Sequence, residues 1–190
     1  MKKILLFASG NGSNVENIIL HFNKSTTIQV VGVFCNNSNA KVIEKAQKNK
    51  IPTFIFNKTE LYDGTILHKI NQIHPDLIVL AGFLLQFPCA IITQYPYKII
   101  NIHPALLPKY GGKGMYGKHV HQAVLESKEK ETGITIHYVN EQYDEGEFIF
   151  QKSVTIEDCQ TVDEIANKIH FLECQYFPEI IENLITRNSQ

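Results

Sequence analysis

Apolar and polar positions along the chain follow two alternating kinds of spacing. Short continuous apolar runs are typical of buried β-strands, and apolar residues spaced by three or four are typical of amphipathic helices. The predicted strands are 4–8, 28–35, 53–56, 77–80 and 99–103, and the predicted helices are 13–22, 41–49, 60–74 and 90–94. Strands that alternate with helices in this order favour a parallel sheet covered on both faces.

The pattern changes in the last third of the chain. Residues 133–139 and 147–154 predict an antiparallel hairpin, because only about seven residues separate the two strands. Thr161 and Glu164 have the spacing of a capping box at the start of a long final helix, which Pro178 is expected to kink or restart. The predicted fold class is α/β: a Rossmann-like, doubly wound, mostly parallel sheet with helices on both faces, followed by a C-terminal antiparallel hairpin and a long helix.

Composition narrows the class of protein. The chain has 190 residues, of which 44% are apolar, and this is enough for one domain with a sizeable core. The formal net charge of −1 offers no basic surface for nucleic acid, and no apolar stretch approaches the ~20 residues of a membrane span. The apolar run at 4–8 is too short for a signal peptide. Four cysteines without CxxC spacing favour reduced thiols over a metal site or a disulfide framework.

A glycine-rich loop, residues 9–14 (SGNGSN), separates the first predicted strand from the first helix. Ser13 is expected to cap the helix, with Glu16 closing a capping box, and the free N–H groups of the helix start favour an anion. A dinucleotide is disfavoured, because Val15 replaces the third glycine of the fingerprint and no acidic residue ends the second strand. A single phosphate group fits better. The alternative is a plain tight turn with a good helix cap.

A second glycine pattern, residues 112–118 (GKGMYGK), matches most of a phosphate-binding P-loop. The position that should hold a magnesium-binding Ser or Thr is His119, and the segment follows the fifth strand behind two prolines. We therefore expect a flexible loop that closes over a pocket, and not an ATP site.

Asn101 and His103 end the fifth predicted strand, where they point to the same side. At the carboxyl end of a parallel sheet this side faces the ligand crevice. An amide can donate to a carbonyl oxygen and a histidine can supply a proton, so the pair suits acyl transfer. No serine or cysteine nucleophile is evident beside them, which suggests direct attack by a substrate amine. Alternatively, His103 only ends the strand before Pro104.

Asp144 lies in the predicted turn of the late hairpin. If the hairpin packs beside the strand of His103, this carboxylate reaches the imidazole, raises its pKa and stabilises its protonated form. The alternative is an ordinary solvated turn, and the sequence alone does not decide between the two.

Several of these segments occur together in one known family. They are 9–14 (SGNGSN), 80–83 (LAGF), 101–110 (NIHPALLPKY) and 133–137 (GITIH), followed by Asp144. With them the chain resembles the phosphoribosylglycinamide formyltransferases, a branch of the folate-dependent formyltransferase family, over essentially its whole length. The Asn-x-His-Pro-x-Leu-Leu-Pro block marks the wider family, and the Ser-Gly-x-Gly-Ser-Asn loop marks the glycinamide ribonucleotide branch and its nearest relatives.

The resemblance implies an activity and the residues that carry it. A formyl group would pass from 10-formyltetrahydrofolate, a co-substrate, to the amine of 5'-phosphoribosylglycinamide in purine biosynthesis, with no metal. Asn101 would polarise the formyl oxygen, His103 would act as general acid, and Asp144 would hold His103 protonated and help to organise a water. The expected phosphate and ribonucleotide contacts are Gly12, Ser13, Asn14 and Glu173, and the expected folate contacts are Leu84, Leu85, Gln86, Phe87 and Asn101.

The resemblance also implies one formyltransferase domain over 1–190. About 1–100 would bind the phosphate, and about 101–190 would carry the catalytic and folate-binding residues. Arginines that the family often places near the folate fall here at Leu85 and Thr59. Lys113 and Lys118, in the loop after the catalytic strand, are therefore hypothesised to bind the glutamate tail of the folate.

Other functions use part of these features. Methionyl-tRNA formyltransferases add a C-terminal nucleic-acid-binding domain, and formyltetrahydrofolate hydrolases usually carry an extra N-terminal domain; we expect neither here. A formyltransferase for an amino-sugar nucleotide explains the phosphate loop less well. A non-catalytic nucleotide-binding module does not need Asn101, His103 and Asp144 to converge. We expect small-molecule substrates as partners, no nucleic acid or membrane, a cytoplasmic location, and a monomer or homodimer.

Overall fold

Seven strands and seven helices form the part of the chain that the computed structural model describes, residues 1–187. The strands are β1 (Lys2–Ala8), β2 (Ile28–Cys35), β3 (Thr53–Ile55), β4 (Leu77–Leu80), β5 (Ile99–His103), β6 (Glu131–Tyr138) and β7 (Phe148–Thr155). The helices are α1 (Ser13–Phe22), α2 (Lys41–Lys48), α3 (Lys58–Tyr62), α4 (Thr65–Ile73), α5 (Cys89–Gln94), α6 (Lys118–Glu126) and α7 (Val162–Arg187).

All seven strands join one sheet in the order β3-β2-β1-β4-β5-β6-β7. The first five strands pair in parallel, while β6 pairs antiparallel with both β5 and β7. The predicted fold class is confirmed. From β1 the chain builds the sheet in one direction to β3, then returns to build it in the other direction from β4. This reversal opens a crevice at the carboxyl ends of β1 and β4, where ligands bind in folds of this kind.

Side chains of alternating strand positions pack into two cores, one on each face of the sheet. In β1, Ile4 and Leu6 face the core that is covered by α1, α2, α6 and α7, while Leu5 and Phe7 face the core covered by α3, α4 and α5. Buried strands in such a three-layer arrangement need apolar residues on both faces, which is why their sequences read as continuous apolar runs.

Most element boundaries agree with the sequence pattern within one or two residues, but one predicted helix is wrong. Residues 60–74 do not form one helix: α3 ends at Tyr62 and α4 begins at Thr65, because Gly64 adopts a left-handed backbone (φ 95°) between them. The capping box is confirmed, since Thr161 and Glu164 exchange hydrogen bonds of 3.0 and 3.2 Å. The final helix passes through Pro178 as one element and does not restart there. Among residues 1–187, no helix combines the length and apolar character that crossing a membrane requires.

Candidate active site

A cavity of about 690 Å³ opens at the carboxyl ends of β1, β4 and β5. Its wall contains every residue that the sequence analysis assigned to catalysis, to the phosphate and ribonucleotide or to the folate ring: Gly12, Ser13, Asn14, Leu84, Leu85, Gln86, Phe87, Asn101, His103, Asp144 and Glu173. These residues come from five separate places along the chain. The three parallel strands bring their following loops to the same edge of the sheet, and the hairpin and α7 close the remaining sides.

The glycine-rich loop forms one end of the cavity, but it is built differently from the expectation. Gly12, not Ser13, precedes α1, and no side chain caps the helix. The expected capping box was therefore wrong, and Glu16 instead forms an ion pair with Lys45 of α2 (3.1 Å). Gly12 has a left-handed backbone (φ 70°), and a Cβ there would lie 2.4 Å from Cγ2 of Val42. Because no side chain accepts from the first turn of α1 within the described residues, its N–H groups are available to an anion.

The loop after β4 spans the gap between the glycine-rich loop and the hairpin turn. The Ser9 hydroxyl accepts from the backbone N–H of Leu84 (3.0 Å) and donates to the side chain of Asn36 (2.6 Å). At its other end, the Gln86 side chain donates to the backbone carbonyl of Glu141 in the hairpin turn (3.0 Å). The predicted folate-binding segment, 84–87, thus forms an uncharged wall that is fixed to both neighbouring segments.

The predicted catalytic residues converge at the end of β5. Nδ1 of His103 lies 3.4 Å from Oδ2 of Asp144, and the side-chain nitrogen of Asn101 lies 3.4 Å from Oδ1 of the same carboxylate. The antiparallel pairing of β5 with β6 also places His137 opposite Asn101, so that its Nε2 is 3.2 Å from the Asn101 amide nitrogen. The structure therefore brings the carboxylate of the hairpin turn to the imidazole, which the sequence had left open.

Two features of its surroundings bear on the protonation of His103. The backbone carbonyl of Tyr110 can only accept, so Nε2 of His103 (2.8 Å away) carries the hydrogen in the neutral ring, and Nδ1 is left facing Asp144. Burial lowers the pKa of His103, and the nearby Asp144 carboxylate and the Tyr110 carbonyl offset this only in part. The cost of burying the charge thus acts against the expectation that Asp144 keeps the resting imidazole protonated.

Asp144 itself is held ionised. Burial alone would raise its pKa, but a hydrogen bond from His137, the charge of His103 and the backbone N–H of Gly112 (3.0 Å) together bring that pKa below its usual value. The neighbouring Gly111 has no room for a side chain, because a Cβ there would lie 2.6 Å from Cδ2 of Leu107. The loop after β5 thus supports the carboxylate as well as covering it.

Glu173 of α7 reaches the cavity from the opposite side and contacts the glycine-rich loop. Its Oε2 accepts a hydrogen bond of 3.0 Å from the side-chain nitrogen of Asn14. The contact joins residues 159 positions apart in sequence, and the Glu173 side chain is only 14% exposed. The phosphate-binding end and the final helix therefore meet inside the cavity.

Two histidines of the cavity wall were not predicted as site residues. His137 belongs to β6, and His121 lies in the first turn of α6. The only signal for His121 in the sequence is that it interrupts a stripe of buried apolar residues, Val120 and Val124, on the same helix. Of the two lysines proposed for the folate tail, Lys113 lines the cavity, while Lys118 pairs with Asp163 of α7 (2.8 Å) on the exposed surface.

Comparison with known proteins places the chain in a family. A family model described as formyl transferase matches residues 2–181. Phosphoribosylglycinamide formyltransferase of Bacillus subtilis is 36% identical over 197 aligned positions, which cover 100% of this chain and 98% of the relative. The chloroplastic phosphoribosylglycinamide formyltransferase of Arabidopsis thaliana is also 36% identical, over 95% of this chain, although the chain spans only 64% of that relative's length.

Solved structures agree with the sequence comparison. The crystal structure of phosphoribosylglycinamide formyltransferase from Bacillus halodurans superposes with a TM-score of 0.88 at 30% identity, covering 98% of this chain and 97% of that one. The family match over most of the chain, together with the full-length relatives, shows that this chain belongs to the formyl transferase family.

Proposed function

We propose that this chain is a phosphoribosylglycinamide formyltransferase, which transfers a formyl group from 10-formyltetrahydrofolate to the amine of 5'-phosphoribosylglycinamide in de novo purine biosynthesis. One observation carries the proposal: a single cavity joins an uncapped helix start at one end to His103, Asn101 and Asp144 at the other. Relatives with this activity in their names match the chain over nearly its whole length.

The acceptor lies along the cavity from the glycine-rich loop to His103. Gly12, Ser13 and Asn14 bind its phosphate through the free N–H groups of the helix start, where the helix dipole also favours an anion. Glu173, which is fixed by Asn14, contacts the ribonucleotide beyond the phosphate. The amine is thereby directed towards the end of β5.

The folate lies on the other side of the reaction centre. Leu84, Leu85, Gln86 and Phe87 line its pocket, and their backbone groups are suited to bind the edge of the pteridine ring. Tyr143 and Val139 of the hairpin region face the same space. The formyl group then lies beside Asn101, which contacts both substrates' reacting atoms.

The chemistry needs one proton to move from the acceptor to the folate. The amine nitrogen attacks the formyl carbon, and the bond from that carbon to the folate nitrogen breaks. Nδ1 of a neutral His103 accepts the proton that the amine loses, and the resulting imidazolium returns it to the leaving nitrogen as a general acid. Asp144, 3.4 Å from Nδ1, stabilises this imidazolium. Asn101 turns one amide hydrogen from its long contact with Asp144 (3.4 Å) to the formyl oxygen as negative charge develops there.

The two halves of the chain have different roles in the proposed enzyme. Residues 1–100 supply the phosphate loop, and residues 101–190 supply the catalytic groups and one wall of the folate pocket, within one domain.

We further propose that the enzyme acts in the cytoplasm on small molecules alone, without nucleic acid or membrane, as a monomer or homodimer. Four free cysteines support a reducing compartment. The name of the chloroplastic relative shows that compartments differ within the family.

The test is formyl transfer itself, followed by the absorbance of the deformylated folate. Wild-type protein should turn over only when both 10-formyltetrahydrofolate and phosphoribosylglycinamide are present. His103→Ala should lower kcat by about 10³-fold, while His21→Ala, in an exposed histidine–carboxylate pair with Glu182, should leave it unchanged. Turnover with an amino-sugar nucleotide but not with phosphoribosylglycinamide would show that the acceptor is the amino-sugar nucleotide. No turnover by folded protein with either would favour a binding module, and a fully active His103→Ala would reject the mechanism.

A further inference from the structure

Gln151 of β7 lies in the same row of the sheet as His103, two strands away. The antiparallel register sets His103 of β5 opposite Thr135 of β6, and Thr135 opposite Gln151. Residues that lie directly opposite one another project from the same face of a sheet, so the three side chains share one face. Unlike His103, Thr135 and Gln151 do not line the cavity. Any effect that these two residues have on the reaction therefore passes through other residues.

Thr135 and Gln151 bind the backbone that follows His103. The Thr135 hydroxyl donates to the carbonyl of Ala105 (2.7 Å) and accepts from the N–H of Leu107 (3.0 Å). The side-chain nitrogen of Gln151 donates to the carbonyl of Leu107 (2.9 Å) and to the Thr135 hydroxyl (2.9 Å). An amide nitrogen carries two hydrogens, so Gln151 can make both bonds at once. Both backbone polar groups of the buried Leu107 are thus held by these two side chains.

The held segment continues to two backbone groups that contact the catalytic residues. The carbonyl of Tyr110 accepts from Nε2 of His103 (2.8 Å), and the N–H of Gly112 donates to Oδ2 of Asp144 (3.0 Å). The Tyr110 carbonyl decides where the ring hydrogen lies, because Asp144, 3.4 Å from Nδ1, favours a hydrogen on that nitrogen instead. A neutral ring with its hydrogen on Nδ1 cannot accept a proton there.

Leu107 connects Gln151 to these two backbone groups. Gly111 lies between Tyr110 and Gly112 in the chain, and the Leu107 side chain packs against it, since a Cβ on Gly111 would lie 2.6 Å from Cδ2 of Leu107. A shift of Leu107 would therefore move the carbonyl and the N–H on either side of Gly111. Proton transfer is sensitive to such shifts, because a misplacement of about 1 Å can lower a rate about 10²-fold.

We propose that Gln151 is a positioning residue for formyl transfer, which fixes residues 105–112 and thereby keeps the ring hydrogen of His103 on Nε2. The inference rests on the proposed function and adds to it a residue outside the cavity. Without the Gln151 amide, the Tyr110 carbonyl would hold the ring hydrogen less well, and part of the enzyme would adopt the tautomer that Asp144 favours. The loss should appear in kcat and not in substrate binding.

Three variants separate positioning from stability. Gln151→Met keeps the length of the side chain and removes the donor, and Ser153→Ala changes an exposed residue of the same strand. Asn49→Ala removes another side-chain hydrogen bond to a backbone carbonyl, that of Lys45 (2.8 Å), at the opposite end of the sheet, where β1 and β2 begin. We expect Gln151→Met to lower kcat about tenfold, with the KM of both substrates within about twofold of wild type. Both controls should keep the wild-type kcat, although Asn49→Ala should lower the melting temperature about as much as Gln151→Met does.

The tautomer of His103 tests the inference without turnover. In protein with ¹⁵N-labelled histidine, the ring-nitrogen shifts distinguish the two neutral tautomers, and the His103 signals are those that His103→Ala lacks. At about pH 8.5, well above the ordinary histidine pKa of about 6.5, wild type should carry the hydrogen on Nε2, while Gln151→Met should show a mixture of both tautomers.

Two results would overturn the inference and leave the proposed function standing. One is a Gln151→Met enzyme with wild-type kcat or with the wild-type tautomer of His103. The other is an equal fall of kcat in Asn49→Ala, which would assign the loss to stability. A folded wild-type enzyme that transfers no formyl group would instead overturn the proposed function, and the tautomer comparison would still show whether Gln151 fixes the ring hydrogen.

Discussion

Replacing Asp144 by asparagine tests whether its charge supports proton transfer by His103. The asparagine keeps the shape of the side chain and an oxygen that can accept from the backbone of Gly112. It removes the negative charge 3.4 Å from Nδ1 of His103 and 3.5 Å from Nε2 of His137. The imidazolium that forms during the reaction would then lose its counter-charge, while the neutral resting ring would lose little.

The distance between His103 and Asp144 sets the expected size of the loss in kcat. Two unit charges 3.4 Å apart interact by about 5 kcal/mol at an effective dielectric constant of about 20, which suits a buried pair. The side chains of His103 and Asp144 are only 4% and 11% exposed, so screening by solvent is small. Loss of this whole interaction energy would slow the chemical step by more than 10³-fold. Because the dipole of the new amide restores part of the interaction, we expect kcat to fall by about 10²–10³-fold. The pKa of His103 should fall further, because burial remains and the opposing charge is gone.

The assay is steady-state formyl transfer with each substrate varied in turn. The KM of either substrate should change little, since Asp144 acts in the proposal on the intermediate state and not on the bound substrates. Glu182→Gln is the matched control, because it neutralises the carboxylate of an exposed pair with His21 (3.2 Å) and should not change kcat. A folded Asp144→Asn enzyme with kcat within about threefold of wild type would refute the reasoning.

Three further predictions concern the loop, the pH profile and the folate tail. Gly12→Ala should lower the free energy of unfolding by about 2–4 kcal/mol, because the new Cβ would clash with α2 and because the backbone at this position is left-handed. Urea titration checks this, with Gly10→Ala as the control, since a Cβ at Gly10 meets nothing within 4 Å. Burial lowers the pKa of His103 from 6.5, and in the proposed mechanism the neutral ring accepts the proton. The value of kcat/KM should therefore be constant above pH 7 and fall as the pH drops below 6.5. A value that rises towards acid pH would mean that a resting imidazolium acts as the acid. Lys113→Ala should weaken binding of a polyglutamylated folate by about two- to fivefold at low salt, while Lys118→Ala should not; equal effects on affinity would contradict the assignment.

Local patterns gave most of the fold. Continuous apolar runs and helical spacing depend on short-range backbone geometry, and they located every strand and most helices within one or two residues. The errors were also local. Gly64 breaks the predicted helix at 60–74, and Gly12 takes the place before α1 that was assigned to Ser13. A left-handed glycine can precede a helix as well as a side-chain cap can, and the sequence does not distinguish the two.

By itself, the sequence determined the order of strands and helices along the chain, the glycine-rich loop before α1, and the shared face of Asn101 and His103, because each depends on neighbours within a few positions. Only the tertiary structure decided that Asp144, 43 positions after Asn101, reaches both residues, and that Glu173 meets Asn14. It also decided how deeply His103 is buried, which lowers the pKa of the imidazole, since the cost of burying a charge depends on everything packed around the ring. Which distant segments meet at the site is a property of the whole packed chain, and no local pattern encodes it.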